Sequence, residues 1–259
     1  MQFQFISLGC SRADPLLYTI LHTNDFHNHL LPHQAGKLME MRSELGDRGL
    51  LLDAGDAISS GNVTYKPGGE PILDLMSDAG YDAMTVGNRE FHFSQSGFCA
   101  KVSRAKFPVL CANVRARDPG VTPPAVPYVQ KVLGGSFRVA IFGLTVPMIT
   151  ERMLVRKVSS YVFDDPILVA KRLVPELRST CDLLICLSHI GLAKDRELAS
   201  AIPGIDLIVG GHTHATLPEG DRVNGTLIVQ AGWWGKLLGK VTISNGETGL
   251  QLKAGIETL

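Results

Sequence analysis

Short apolar runs alternate along this chain with stretches whose apolar positions recur every three or four residues. The runs predict strands at Tyr18–Thr23, Gly49–Leu52, Ala83–Val86, Val109–Ala112 and Arg138–Leu144. Further runs predict strands at Leu183–Leu187, Leu207–Val209, Leu227–Gln230 and Gly239–Ile243. The longer-period stretches predict helices at Gly36–Leu45, Pro71–Ala79, Ser96–Arg104, Pro166–Arg178 and Lys194–Ala201. Strand and helix in alternation is the pattern of an α/β fold. The segment Arg115–Pro127, "RARDPGVTPPAVP", is too rich in proline for a helix or an inner strand. It reads as a surface excursion between two halves, because strand patterns continue on both sides of it. Beyond His214 the chain turns strand-rich, and no internal repeat is visible.

Composition narrows the class of function more than the class of fold. With 259 residues the chain is long enough to bury a large core, and 45% hydrophobic with 19% charged residues is ordinary for a globular protein. Lys plus Arg equals Asp plus Glu, 25 each, so no overall field draws the chain to nucleic acid or an anionic membrane. No apolar run is long enough for a membrane span. The start, "MQFQFISLGCSRADP", has no basic residue before a very short apolar part, which is a poor signal peptide, and Cys10 is expected to be a chance cysteine rather than a lipid-attachment site. The five cysteines lack paired metal-type spacing and are expected to be free thiols, which suggests a cytoplasmic location.

The chemistry-bearing residues cluster at strand ends. "HTNDFHNHL" puts Asp25 and His27 after the first strand, "LLLDAGDAISSG" puts Asp56 after the second, and "TVGNRE" puts Asn88 after the third. "ICLSHIG" puts His189 after a later strand, and "LIVGGHTHA" puts His212 and His214 after the next. Residues i and i+2 of an extended segment point the same way, so Asp25 with His27, and His212 with His214, are expected to aim alike. Ligands in open α/β sheets bind beyond the carboxyl ends of the strands, so all seven positions can converge. Any one of them alone would be a turn aspartate, a helix cap, a left-handed asparagine or a satisfied histidine. Together, mixed imidazole and carboxylate donors suit Zn, Mn or Fe better than Mg or Ca. Seven donors exceed one tetrahedral ion and fit two divalent ions that share a carboxylate, the arrangement suited to displacement at phosphorus.

The blocks "ILHTNDFHNHL", "LLLDAGDAISSG", "VGNREF", "LSHIG", "GGHTHA" and "VQAGWWGKLLGKV" resemble, in order, those of the calcineurin-like metallophosphoesterases. The likeness is specifically to the amino-terminal catalytic domain of the bacterial 5'-nucleotidase group, and it runs from about Thr19 to Val241. It implies a four-layer α/β/β/α sandwich of two mixed sheets. It implies that Asp25, His27 and His214 hold one metal, that Asn88, His189 and His212 hold the other, and that Asp56 bridges. The implied reaction is hydrolysis of a phosphate ester by a metal-activated water, with a small phosphorylated substrate, a nucleotide being one candidate. Resembling nucleotidases are commonly exported, which stands against the location suggested by the cysteines.

Two departures bear on that expectation. The family block Gly-Asn-His-Glu-Phe-Asp reads Gly87-Asn88-Arg89-Glu90-Phe91-His92 here, so both members of the family's catalytic pair are replaced. Arg89 is a permanent cation able to grip phosphate oxygens, and His92 is a candidate proton donor. Alternatively both are helix-start residues facing solvent. The second departure is length: residues 1–259 are expected to form one catalytic domain, without the carboxy-terminal nucleotide-binding domain of longer relatives. Trp233 and Trp234 offer some stacking surface, or serve as packing. The readings in play are an altered but active phosphohydrolase, a catalytically impaired metal-containing sensor of nucleotide or phosphorylated metabolite, and a metal-retaining scaffold. Nothing in the sequence specifies an oligomeric state.

Overall fold

The computed structural model describes residues 17–246 and 249–259; Cys10 and the rest of the segment up to Pro15 lie outside them. In chain order the elements are β1 (Tyr18–Thr23), α1 (Pro32–Leu45), β2 (Gly49–Asp53), α2 (Ile72–Asp78), β3 (Ala83–Thr85), α3 (Gln95–Val102), β4 (Val109–Leu110) and β5 (Val114–Ala116). There follow β6 (Tyr128–Leu133), β7 (Phe137–Thr145), β8 (Tyr161–Phe163), α4 (Pro166–Arg178), β9 (Leu183–His189), α5 (Leu192–Ala201) and β10 (Leu207–Gly210). The chain closes with β11 (Asp221–Val223), β12 (Thr226–Val229), β13 (Leu237–Gly246) and β14 (Gly249–Thr258).

Two six-stranded sheets form, in the orders β14-β13-β1-β2-β3-β4 and β11-β12-β10-β9-β7-β6. Both are mixed: in the first, β1 to β4 run parallel, with β13 antiparallel to β1 and β14 to β13 on one side, while in the second β7, β9, β10 and β12 run parallel and β6 and β11 flank them antiparallel. Successive side chains of a strand face opposite ways, and the core follows that period. Ile20, Leu50, Leu52 and Ala83 of the first sheet pack on Val139, Ile141, Ile185, Leu187 and Val209 of the second. Leu21, Leu51 and Met84 face the other way, onto Leu38, Leu73, Met76 and Phe98 of the first three helices. Phe142, Leu184, Cys186 and Ile208 face out onto Val169, Val174 and Leu198 of α4 and α5. Helices, sheet, sheet and helices make the four-layer α/β/β/α sandwich of two mixed sheets.

The proline-rich segment carries the chain from the first sheet to the second. Its first residues pair with β8 as a two-stranded ribbon, and Val126 bridges to Leu110 before β6 begins. All four cysteines among the described residues are unpaired, with Cys111, Cys181 and Cys186 buried. No helix among these residues is long and apolar enough to cross a membrane.

One buried group in the first sheet sets an acid limit on the fold. His22 lies opposite Gly239 across the β1–β13 pair, and a Cβ at Gly239 would come within 1.9 Å of the imidazole. Burial pushes the pKa of this ring down to about 3 from 6.5. The unfolded chain therefore takes up a proton that the folded ring refuses. Stability is fully present above about pH 6.5 and is lost as pH falls towards about 3. A His22→Phe variant keeps a ring of similar shape and should show a flatter decline of Tm between pH 6 and 4. An unchanged decline would place the acid limit elsewhere.

Candidate metal centre

The carboxyl ends of β1, β2, β3, β9 and β10 lie at one edge of the sandwich, where the two sheets meet. The turn after β1 docks on the turn after β2: the Asp25 N–H donates to the Gly55 carbonyl at 3.0 Å, and the His27 N–H to that of Asp56 at 2.9 Å. Asp25, His27, Asp56, His212 and His214 all have positive φ, between 48° and 73°. Non-glycine residues rarely adopt this region, and its concentration at five of seven expected ligands marks the edge as a strained, functional one. This corrects the expectation of extended segments. Left-handed turns aim the side chains, and His212 and His214 point into different groups.

The first group is Asp25, His27 and His214. The His27 and His214 Nε2 atoms lie 3.1 Å apart, and they stand 3.7 Å and 3.3 Å from Asp25 Oδ1. The second contains His189, whose Nε2 lies 3.4 Å from Asp56 Oδ1 and 3.3 Å from Asn88 Oδ1, and His212, whose Nδ1 lies 2.9 Å from that same Asn88 oxygen. The donor atoms of Asp25, Asp56 and His189 also fall within 4.8 Å of one another, so the two groups are contiguous. Asp25 Oδ1 is fully buried yet accepts no hydrogen bond. An orphaned, buried carboxylate oxygen facing two imidazole nitrogens is what a cation would satisfy, and the donor set suits Zn, Mn or Fe.

Electrostatics fit the same reading. Burial alone would lower the pKa of His189, but the Asp56 carboxylate beside it prevails and lifts the ring to about 9. Burial likewise works against an ionised Asp56, and His189 together with His27 holds it below the usual carboxylate range. Asp56 thus feels an imidazole from each group. Burial lowers the pKa of His27 and His212, which leaves them neutral with a lone pair to offer. His189 Nδ1 lies 2.7 Å from the Ala54 carbonyl, which only accepts, so Nδ1 keeps its proton and Nε2, facing Asp56, is the nitrogen that would give up its proton to a cation.

Several groups that hold this arrangement carry no ligand signature in the sequence. Asn24 donates to Asp25 Oδ2 at 2.8 Å and to the Gly232 carbonyl at 2.6 Å, and it accepts from the Ala231 N–H at 2.9 Å. The His212 N–H donates to the same Asp25 oxygen at 2.9 Å. Glu90 accepts the N–H groups of Asp56, Gly87 and Ile58 at 2.9, 2.8 and 3.2 Å, tying the turns after β2 and β3 together. Burial and the nearby Asp56 push its pKa up to about 7. Fully buried Lys101, on α3, donates its three protons to the carbonyls of Gly61, Arg89 and Phe91 at 2.8, 2.7 and 3.0 Å. The one hint in the sequence is a charged Glu90 beside aromatic Phe91 and Phe93, a place that burial without partners would forbid.

Arg89 and His92 part company. The Arg89 N–H donates to Asp56 Oδ1 at 2.7 Å, and its Nε stands 4.0 Å from Asp56 Oδ2 on a side chain 43% exposed. That Nε is buried and donates to nothing among the described residues. The structure does not bring His92 into the group. Its Nδ1 accepts from the Ser94 N–H at 3.0 Å and meets the Ser94 hydroxyl at 2.9 Å, while its ring stacks on Phe93 and abuts Tyr65. A Cβ at Gly97, in the first turn of α3, would lie 2.2 Å from that ring, so the imidazole is wedged against the helix start. His92 is thus buried at the start of α3, whereas the Arg89 side chain stands beside Asp56.

Residues 18–216 match the profile of the calcineurin-like phosphoesterases. The chain belongs to that family. Like other members, this calcineurin-like phosphoesterase is kin to metal-dependent phosphohydrolases. It is 34% identical over 271 residues to the trifunctional nucleotide phosphoesterase protein YfkN of Bacillus subtilis, a match that covers 90% of this chain and 18% of that one. It is 29% identical to a 5'-nucleotidase of Vibrio vulnificus, over 88% of this chain and 49% of that one. The crystal structure of a 5'-nucleotidase precursor from Thermus thermophilus superposes with a TM-score of 0.76 at 28% identity, covering 94% of this chain and 54% of that one. This phosphoesterase thus spans about half the length of the nucleotidases that it matches, or less.

Proposed function

We propose that this chain hydrolyses phosphate monoesters of the nucleotidase type with two divalent ions, Zn, Mn or Fe. The observation that carries the reading is the convergence of Asp25, His27, Asp56, Asn88, His189, His212 and His214 from five strand ends of two sheets. Asp25, His27 and His214 would hold one ion, Asn88, His189 and His212 the other, and Asp56 would face both. Bound there, such ions supply positive charge to the phosphoryl oxygens and acidify a water.

The chain's own residues do the rest. Asn24 and the His212 N–H orient Asp25, the Ala54 carbonyl fixes the tautomer of His189, and Glu90 keeps the Asp56 and Asn88 turns in register. Arg89 adds a permanent cation at the rim, on a side chain 43% exposed whose guanidinium is available to a phosphoryl oxygen. A guanidinium does not readily give up a proton, and His92 is engaged elsewhere, so the leaving group takes its proton from solvent. Rates should therefore depend strongly on the leaving group, with an aryl phosphate turned over faster than an alkyl one; a general acid contributes about 10²–10⁴-fold when present. Replacing Arg89 by Met should lower kcat/KM by about 10- to 100-fold on any monoester, mostly through kcat. Equal kinetics in the two proteins would remove Arg89 from the reaction.

The reading is tested by assaying an aryl phosphate monoester and diester with added Mn²⁺ or Zn²⁺, alongside metal content by elemental analysis. Turnover of the monoester with two ions per chain is expected. Faster turnover of the diester would correct the substrate class. Two bound ions without turnover of either ester would sink the enzyme reading and favour a metal-containing sensor.

A further inference from the structure

The metal-bearing edge continues into an aromatic platform that the proposed chemistry does not use. Trp233 stacks on the ring of His214, centroids 5.6 Å apart at 22°. Trp234 follows at 6.2 Å from Trp233 and 70° to it, and His29 lies tilted against Trp234 at 4.8 Å. The Lys236 ammonium sits over both indoles, 4.9 Å and 5.3 Å from their centroids. His29, Trp234 and Lys236 are all exposed.

Packing does not account for Trp234. The residue is 44% exposed, and its backbone has φ +62°, a conformation that a bulky residue seldom adopts. The turn is held there from within. The Trp234 N–H donates to the Asp25 carbonyl at 2.9 Å, and a Cβ at Gly235 would press on Phe26 at 3.0 Å. A strained turn bonded to a metal-ligand loop, presenting an indole to water, is a device for holding something flat beside the site.

We infer that Trp234, with His29 and Lys236, forms a stacking subsite for a nucleobase-like aromatic ring on the leaving group of the substrate phosphoester. This rests on the proposed hydrolase and narrows its substrate to esters carrying such a ring. The indole offers a broad π-face, and the Lys236 cation, already held by the rings, meets ring nitrogens or carbonyl oxygens of the base. Trp233 carries the platform to His214 and so fixes its position relative to the phosphorus. The subsite is built from this chain's own residues.

The test exploits the fact that Trp233 and Trp234 are the only tryptophans in the sequence. Intrinsic fluorescence therefore reports on this platform and requires neither metal nor turnover. Adenosine should quench it saturably, and ribose should not; a Trp234→Ala variant should lose the saturable quench and Trp234→Phe should retain adenosine binding by calorimetry. Kinetics give the second arm, with adenosine 5'-monophosphate compared with ribose 5-phosphate, two esters of the same kind of alcohol that differ in the base. The ratio of their kcat/KM values should fall about tenfold in Trp234→Ala and recover in Trp234→Phe, as stacking energies imply. Saturable quenching without turnover of any ester would keep the subsite and overturn the hydrolase. Turnover with no quenching and an unchanged ratio would keep the hydrolase and overturn the subsite.

Discussion

Asp56→Asn should reduce turnover by more than about 10²-fold and lower the bound metal from two ions per chain to one or fewer. Even groups that only orient a ligand cost about 10- to 100-fold when removed, and Asp56 is itself a proposed donor. The substitution is nearly isosteric, so the fold has little reason to change. The loss is electrostatic. Asp56 is the carboxylate that lifts His189 to about 9 and is itself held down by His189 and His27. On the proposed reading an amide there cancels the attraction that draws two cations to one edge, and the His189 pKa should drop because burial is then opposed only by Asp25 and the Ala54 carbonyl. Metal content by elemental analysis and the imidazole resonances in NMR check the two halves separately. Full activity with two ions retained would show that Asp25, which reaches both groups, is the shared ligand instead.

Glu90→Ala should destabilise the protein by about 3–5 kcal/mol, one of the larger losses available to a single substitution outside the hydrophobic core. Its two oxygens satisfy three buried N–H groups, on Asp56, Gly87 and Ile58. An orphaned buried donor costs about 1–3 kcal/mol, and the three together are not fully additive. The turns cannot close the gap by approaching, because a Cβ at Gly87 would already lie 2.3 Å from the Asp56 nitrogen. Glu90→Gln should cost less, since the amide keeps one acceptor oxygen. Urea unfolding of the metal-free protein measures this without interference from ligand binding. A loss below about 1 kcal/mol would mean that water replaces the carboxylate.

Most of this edge was legible in the sequence because its chemistry and its topology coincide. Each of the seven candidate donors follows an apolar run, and apolar runs in an α/β pattern become strands whose ends share an edge. The geometry joining donor to strand was not legible. Period-two reasoning aligned Asp25 with His27 and His212 with His214, whereas left-handed φ values, dictated by the docking of neighbouring turns, send the second pair to separate groups. The helical positions were found to within a few residues, with α4 matched at both ends. The misses were edge and ribbon strands. β6 and the ten-residue β14 carry mostly exposed and half-buried positions, and β5, β8 and β11 have three residues each, too few to show a period. The placement of His92 was not legible for a related reason: its position in the block says nothing of the Ser94 and Gly97 contacts that turn the ring onto α3. Glu90 and Lys101 went unread because their partners are backbone groups, which no side-chain motif encodes.

The seam between the sheets has a bearing on how this molecule comes into being on the ribosome. Asp25, His27, Asp56 and Asn88 belong to the first sheet, and His189, His212 and His214 to the second; β13, which closes the first sheet beside β1, is made after all of them. Asn88 meets His189 and His212 across 101 and 124 residues, and Asp25 meets His212 across 187. Contacts so far apart in sequence form late. A nascent chain therefore exposes an incomplete set of these side chains until the segment after β10 has been made, and the full set exists only once the halves have come together. If the edge holds cations as proposed, their capture would latch the two halves together, drawing the equilibrium towards the docked state and making cation supply a determinant of yield.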